Sequence, residues 1–388
     1  MDAVIYDVVV VGGGPAGASA ASRLAQAGAR VAVVDGSHPR EKPCGGGVTA
    51  RALALVGSTV DSLPGAVAVE TASFAHHGRS TCVTLDTEGP ARLAIVAREQ
   101  FDRTLLDRAC AAGATLHGSR VVSVERTNGS WSVRTRAGML HGRWIIGADG
   151  PSSLVRKRVS VPFARADLSI ASGFYVRGLT SRRVDIEFET TVPGYLWSFP
   201  RADHLAVGTC AQADLTSAAQ MLAMTSAWLD RHVPGGHRQR YSWPIPSLRD
   251  GTLARERPAG NGWMLVGDAA GLVDPITREG IYFAMASGGG AADAIVDGPD
   301  PAARYTVWLR DTVHAELRLA ARLKTRFYRP EFIALLLTAL QRSDRIRRIM
   351  ADLIAGEQPY HSLRSRLLRT LEWRLMAELF GLTGRPYR

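Results

Sequence analysis

The chain opens on an apolar run. From Ile5 to Val11 the sequence "IYDVVVV" gives almost no polar alternation, as a strand covered on both faces requires. A glycine turn follows, and residues 15 to 27 are rich in alanine and end at Gly28, which reads as a helix with a glycine stop. Val31 to Val34 repeats the buried-strand pattern and ends at Asp35. Strand, turn, helix and strand in this order make a βαβ unit.

From about residue 50 to 97 the pattern is irregular, and pieces such as "STCVTLD" alternate as an antiparallel sheet does. "REQFDRTLLDRACAAGA", starting at Arg98, predicts a helix with Phe101, Leu105, Leu106 and Ala109 on one face. "RWIIGADGPSSLVRK" is a second strand, turn and helix start, and "GWMLVGDAAGLVDP" a third strand-to-turn. Residues 165 to 250 are rich in strand patterns, with "RVDIEFE" alternating and "GYLWSFPR" aromatic, and from about 300 the period is helical.

Three glycine turns spread this widely imply one nucleotide-binding domain built from separate pieces, 1–70, 98–165 and 255–298. Residues 71–97 and 166–254 are expected to form a second domain, and 299–388 a helical C-terminal region. The expected fold class is α/β: a Rossmann-type domain, an antiparallel-sheet domain and a helical tail.

Composition narrows the classes. Of 388 residues 46% are hydrophobic and 21% charged, enough for a sizeable core. The net charge of +11 is nearly all arginine, with lysine only at Lys42, Lys157 and Lys324. No recognition motif accompanies that charge, so nucleic acid is not expected as a partner. Cys44, Cys82, Cys110 and Cys210 lie far apart; this predicts no metal site and a reducing, cytoplasmic setting. His76 and His77 read as a polar surface pair. No basic leader precedes the first strand, and "FIALLLTAL" at 332–340 is too short to span a bilayer. The tail carries Leu363, Leu367, Leu371, Leu375 and Leu379 at steps of four. Such a helix packs on its own protein or lies on anionic lipid, at the inner face of the membrane, with Arg342, Arg345, Arg347 and Arg348 as the exposed basic group.

The first turn, Gly12-Gly13-Gly14-Pro15-Ala16-Gly17, fits G-x-G-x-x-G. Gly12 permits the turn, Gly14 lets backbone approach a pyrophosphate, and Gly17 lets the helix pack close to the strand. Asp35 is placed to bind a ribose 2′-hydroxyl, which favours NAD or FAD over NADP. Spacing alone does not separate NAD from FAD.

The later turns do. "GADGPSS" at 147–153 and "VGDAAGLVDPITREGI" at 266–281 resemble the further fingerprints of flavoprotein reductases and hydroxylases. Together with "KPCGGGVT" at 42–49, "YLWSFP" at 195–200 and, more loosely, "AGEQPYHSLRSRLL", the chain resembles the geranylgeranyl reductase family of FAD-dependent enzymes. That resemblance implies FAD as cofactor, with Asp268 on the ribityl chain, Arg98 near the cofactor, and Gly280 and Ile281 facing the isoalloxazine. It places the Cys44-Gly45-Gly46 loop beside the ring. It also implies an apolar channel walled by Tyr195, Trp197 and Phe199, where ordinary core packing is the alternative. Cys44 reads equally as a thiol acting near the flavin and as a small residue that merely fits. Arg278 stands where the family has glycine.

The implied activity is reduction of isolated carbon–carbon double bonds in a polyprenyl chain by hydride from reduced flavin, on a prenyl-bearing lipid or terpenoid. No second G-x-G-x-x-G is present, so NAD(P)H binding transiently or a reduced carrier protein is the expected electron donor. The alternatives are a flavin monooxygenase or halogenase acting on an apolar or aromatic small molecule, and a flavin- or lipid-binding protein without turnover.

Overall fold

The computed structural model describes residues 5–85, 90–127, 129–189 and 192–370. The chain divides into two compact units. Met1–Lys42, Ala97–Leu168 and Pro244–Arg318 form the first, and Pro43–Val96, Ser169–Trp243 and Leu319–Arg388 the second.

The first unit is built on an eight-stranded sheet whose centre is parallel. Strand β1 (Ile5–Val11) lies between strand Gly138–Gly147 and β2 (Val31–Val34), with Val11 in register with both Gly147 and Val34. Val8, Val9 and Val10 are fully buried, so the run without alternation is explained by cover on both faces. Helix α1 (Pro15–Gln26) packs against helices Ile281–Val296 and Arg98–Ala111. Phe101, Leu105, Leu106 and Ala109 are buried as their spacing predicts; Arg98 and Asp102 are buried as well.

The second unit holds a seven-stranded sheet with aromatic strand Gly194–Pro200 paired to Arg183–Glu189 and His204–Gln212. Strands Leu168–Arg177, His204–Gln212, Gly194–Pro200 and Arg183–Glu189 pair antiparallel in turn, and Arg183–Glu189 runs parallel to Thr71–His76. Helix Ala218–His232 closes one core, where Trp228 and Leu229 meet Phe174, Val176, Leu196, Leu205 and Val207. Helices Pro330–Arg342 and Asp344–Ile354 pack on strand Arg79–Thr84.

The seams differ from the sequence reading. Gly47–Thr49 and Val67–Ala68 pair with Leu93–Ile95 in a small sheet, which draws residues 43–70 into the second unit. Helix Pro301–Leu309 packs on Ile281–Val296 and belongs to the first. His76 is not a surface residue: strand alternation turns it inward, 4% exposed, where its Nδ1–H donates to the Phe188 carbonyl at 3.3 Å. In the tail, helix Tyr360–Leu368 leaves Leu363 and Leu367 half-buried; Leu371, Leu375 and Leu379 lie outside the described residues. Among the described residues no helix is long and apolar enough to cross a membrane, and no cluster of His, Cys, Asp and Glu suits a metal ion.

Candidate functional site

In the first unit the turn after β1 needs glycine at both ends. Gly12 has φ +107°, and a Cβ there would lie 2.3 Å from the Ala148 carbonyl oxygen; one on Gly17 would lie 1.9 Å from that of Gly12. Gly14 differs. It is the N-cap of α1 in an extended conformation, and a Cβ on it meets nothing nearer than His38 Nε2 at 3.5 Å. No side chain caps α1 and Pro15 occupies its first turn, so the first amides of the helix have no side-chain cap and the positive end of the helix dipole lies behind them. Ala16 is buried in the same turn.

Asp35, at the end of β2, is the hub beside this turn. It accepts from the Gly13 N–H at 2.8 Å, from the Ser37 N–H and hydroxyl, from the His38 N–H, and from His38 Nδ1 at 2.7 Å. Burial pulls its pKa up, but the hydrogen bond and charge of His38 and the two backbone donors outweigh burial and hold the carboxyl well below its ordinary range. The other ring nitrogen, His38 Nε2, lies 3.4 Å from Asp102 Oδ2. Asp102 in turn takes a two-pronged bond from Arg98, with Nε and Nη2 each at 2.9 Å. Burial raises Asp102, and the Arg98 charge and His38 bring it below its usual value. Arg98 thus connects to the glycine turn through Asp102, His38 and Asp35.

The third fingerprint folds into the same unit. Lys42 Nζ donates to Asp268 Oδ2 at 2.8 Å, and a Cβ on Gly280 would come within 3.5 Å of Asp268 Oδ1. Gly280 is the N-cap of helix Ile281–Val296, again without a side-chain cap, and Ile281 is its buried first residue. Arg278 sits at φ +62°, a left-handed conformation that explains why glycine suits the position. In the second fingerprint Asp149 accepts from the Leu154 and Val155 amides at the start of helix Leu154–Val159, whose N-cap is Ser153. Two helix starts without side-chain caps, Gly14 at one of them, and the Asp268–Lys42 pair form a polar set that suits a dinucleotide with a polar linker.

In the second unit the Cys44 loop is clamped. A Cβ on Gly45 would fall 2.4 Å from the Phe199 ring, and one on Gly46, at φ +82°, would fall 2.4 Å from Arg201 Nη1. Arg201 is 1% exposed and its Nη2 donates to the Cys44 carbonyl at 3.0 Å. Cys44 is a half-buried free thiol whose Sγ accepts from the Gly46 N–H at 3.3 Å. Tyr195 and Trp197 are 9% and 4% exposed, their rings edge-on at 6.0 Å. A Cβ on Gly208 would lie 2.5 Å from the Trp197 ring and 2.6 Å from the Tyr241 hydroxyl. Tyr241 is buried and donates to the Val207 carbonyl at 3.0 Å; burial, then the Tyr175 and Cys44 groups, push its pKa well above the ordinary value despite Arg201 and Trp197.

The residues singled out in the sequence therefore fall into two groups. Gly12, Gly14, Pro15, Ala16, Gly17, Asp35, Arg98, Asp268, Gly280 and Ile281 lie in the first unit, and Cys44, Gly45, Gly46, Tyr195 and Trp197 in the second. The sequence reading passed over His38, Asp102, Lys42, Arg201 and Tyr241. Asp102 left a readable trace, four residues after Arg98 on one helix face, and Lys42 opens the quoted "KPCGGGVT" stretch.

A family described as FAD binding domain matches residues 5–216. The chain is 30% identical to the digeranylgeranylglycerophospholipid reductase of Methanothrix thermoacetophila, over 75% of this chain and 78% of that protein. It is 29% identical to the menaquinone reductase of Mycolicibacterium smegmatis, over 90% and 92%. The fold is shared with a geranylgeranyl bacteriochlorophyll reductase-like protein from Thermoplasma acidophilum, at a TM-score of 0.78 and 22% identity, covering 94% of this chain and 99% of that one.

Proposed function

Since the chain belongs to the geranylgeranyl reductase family of FAD-binding oxidoreductases, we propose that it saturates isolated carbon–carbon double bonds in the polyprenyl chain of a lipid or terpenoid. The observation that carries this reading is the aromatic strand of the second unit, where buried Tyr195 and Trp197 stand with Phe199, packed on Gly45 beside Cys44. An isolated alkene offers no polar handle, so an aromatic wall that orients it and keeps water out is the contribution required of the protein.

The amides at the start of α1 would hold the pyrophosphate, and Asp268 with Lys42 the polar chain between phosphate and ring. FAD, when bound and reduced, supplies the hydride for one alkene carbon. A proton from water or a nearby donor completes the other carbon, and NAD(P)H or a reduced carrier protein restores the two electrons. Arg201 fixes the Cys44 loop, so that backbone without side chains forms this part of the wall.

Contact with an anionic membrane belongs to the same reading. Arg345, Arg348, Arg366 and Arg369 line a cleft of about 270 Å³ together with Ile349 and Thr370. Arg366 is tied to Gln358 and Asp352, and Arg345 donates to the Thr370 carbonyl, which fixes two of the four. Cosedimentation with vesicles containing anionic phospholipid is the expected result, weakened by replacing Arg348 and Arg369 with glutamate; equal binding to neutral vesicles contradicts it.

The substrate is tested by anaerobic incubation of the reduced protein with a geranylgeranyl-bearing glycerophospholipid and mass spectrometry of the product. A gain of hydrogen pairs is expected. Unchanged lipid without oxygen, with an oxygen-bearing product in air, would sink the proposal in favour of a monooxygenase.

A further inference from the structure

Asp35 is the residue expected to take a ribose hydroxyl, yet its two oxygens already receive five donors, and a carboxylate offers about four lone-pair sites. Against the turn lies His38, whose Nε2 is 3.5 Å from where a Cβ on Gly14 would stand and whose Cβ is 3.4 Å from that position on Gly13. The ring is wedged between carboxylates, Asp35 at one nitrogen and Asp102 at the other. A neutral imidazole keeps one nitrogen as an acceptor and would turn its lone pair on an anion; only the imidazolium donates to both.

From these contacts we propose that His38 is a positioning residue of the FAD site, a protonated bridge whose charge makes cofactor retention depend on pH. The groups facing it are Asp35 from the end of β2 and Asp102 from helix Arg98–Ala111, with Arg98 behind Asp102; the glycine turn at the start of α1 brings no charge. Asp35, His38, Asp102 and Arg98 alternate in sign and sum to zero. Loss of the His38 proton leaves a net negative charge against the amides that would receive a pyrophosphate, which is itself anionic. Repulsion then weakens binding.

The sign follows from linkage. Burial lowers the His38 pKa, but hydrogen bonds and charge from Asp102 and Asp35 more than offset it, and the group titrates above its ordinary 6.5. Both carboxylates are held below their ordinary values, so His38 is the member of the set that changes charge at neutral to alkaline pH. Bound FAD adds negative charge and raises it further. Retention is full below the value of the free protein, falls as pH rises through it, and levels off above the value of the complex.

The inference rests on FAD binding and not on the prenyl substrate. The test is dilution of the FAD-loaded protein between about pH 6 and about pH 9.5, reading released flavin by its fluorescence and folding by thermal unfolding of the same samples. For the natural chain the dissociation constant should rise about tenfold across that range, the one-proton slope being at most about tenfold per pH unit. His38→Gln, which keeps one donor without charge, should bind more weakly at neutral pH and vary less than about twofold. His38→Asn serves if the first variant unfolds. Equal slopes in natural and variant protein overturn the role of His38, whereas a protein that holds no FAD at any pH overturns the cofactor assignment.

Discussion

Gly14→Val should give a folded protein that carries no FAD. The backbone at Gly14 has φ −73° and ψ −175°, which valine adopts without strain. The nearest atom to its new Cβ is His38 Nε2 at 3.5 Å, an ordinary contact. The two methyls would add bulk at the start of α1, where the pyrophosphate is proposed to sit. A loss of more than about a hundredfold in FAD affinity, roughly 3 kcal/mol, is expected with little change in the unfolding midpoint. Gly17→Ala should behave in the opposite way, since its methyl meets the Gly12 carbonyl at 1.9 Å and the β1–α1 packing must open. Flavin content and thermal unfolding, measured on both variants, separate the two. Yellow Gly14→Val protein with full flavin content would remove Gly14 from the cofactor site.

Arg201→Leu should be the most damaging single change in the second unit. It removes the donor to the Cys44 carbonyl and the guanidinium against which Gly46 packs, at a site 1% exposed. Losing a charged hydrogen bond there costs about 1.5–3 kcal/mol, and imperfect filling of the space adds to this. Because the loop is set by backbone and not by its own side chains, prenyl turnover should fall by more than about tenfold, beyond what the folded fraction explains. Cys44→Ala removes only a weak acceptor for the Gly46 N–H and should cost less than about 1 kcal/mol. Denaturant unfolding and turnover of both variants decide the matter. Loss of turnover in Cys44→Ala at undiminished stability would move the chemistry from the loop's shape to its thiol.

Much of the first unit was legible in the sequence. A strand buried on both faces must be an apolar run, as Val8 to Val11 is, and the glycine turn has a spacing that few other structures need. The rest depends on contacts that leave no period. Strands Gly47–Thr49 and Val67–Ala68 are too short to alternate visibly, so in the sequence residues 43–70 read as part of the preceding piece. Arg98 and Asp102 look like a solvated i,i+4 ion pair and are buried. His38 stands in a loop between Ser37 and Pro39, and only folding brings Asp102 to its ring. Arg201 ends an apolar strand as a surface charge would, yet its guanidinium turns inward to a carbonyl 157 residues earlier in the chain.

The central claim, that a prenyl double bond takes electrons from FAD held by this chain, is tested most directly without oxygen. The protein is reduced anaerobically, a geranylgeranyl-bearing lipid is added, and the absorbance of oxidised flavin is followed. Its return in proportion to the double bonds supplied, with matching hydrogen gain in the lipid, is the predicted result. Flavin that stays reduced until air is admitted, beside unchanged lipid, would contradict it.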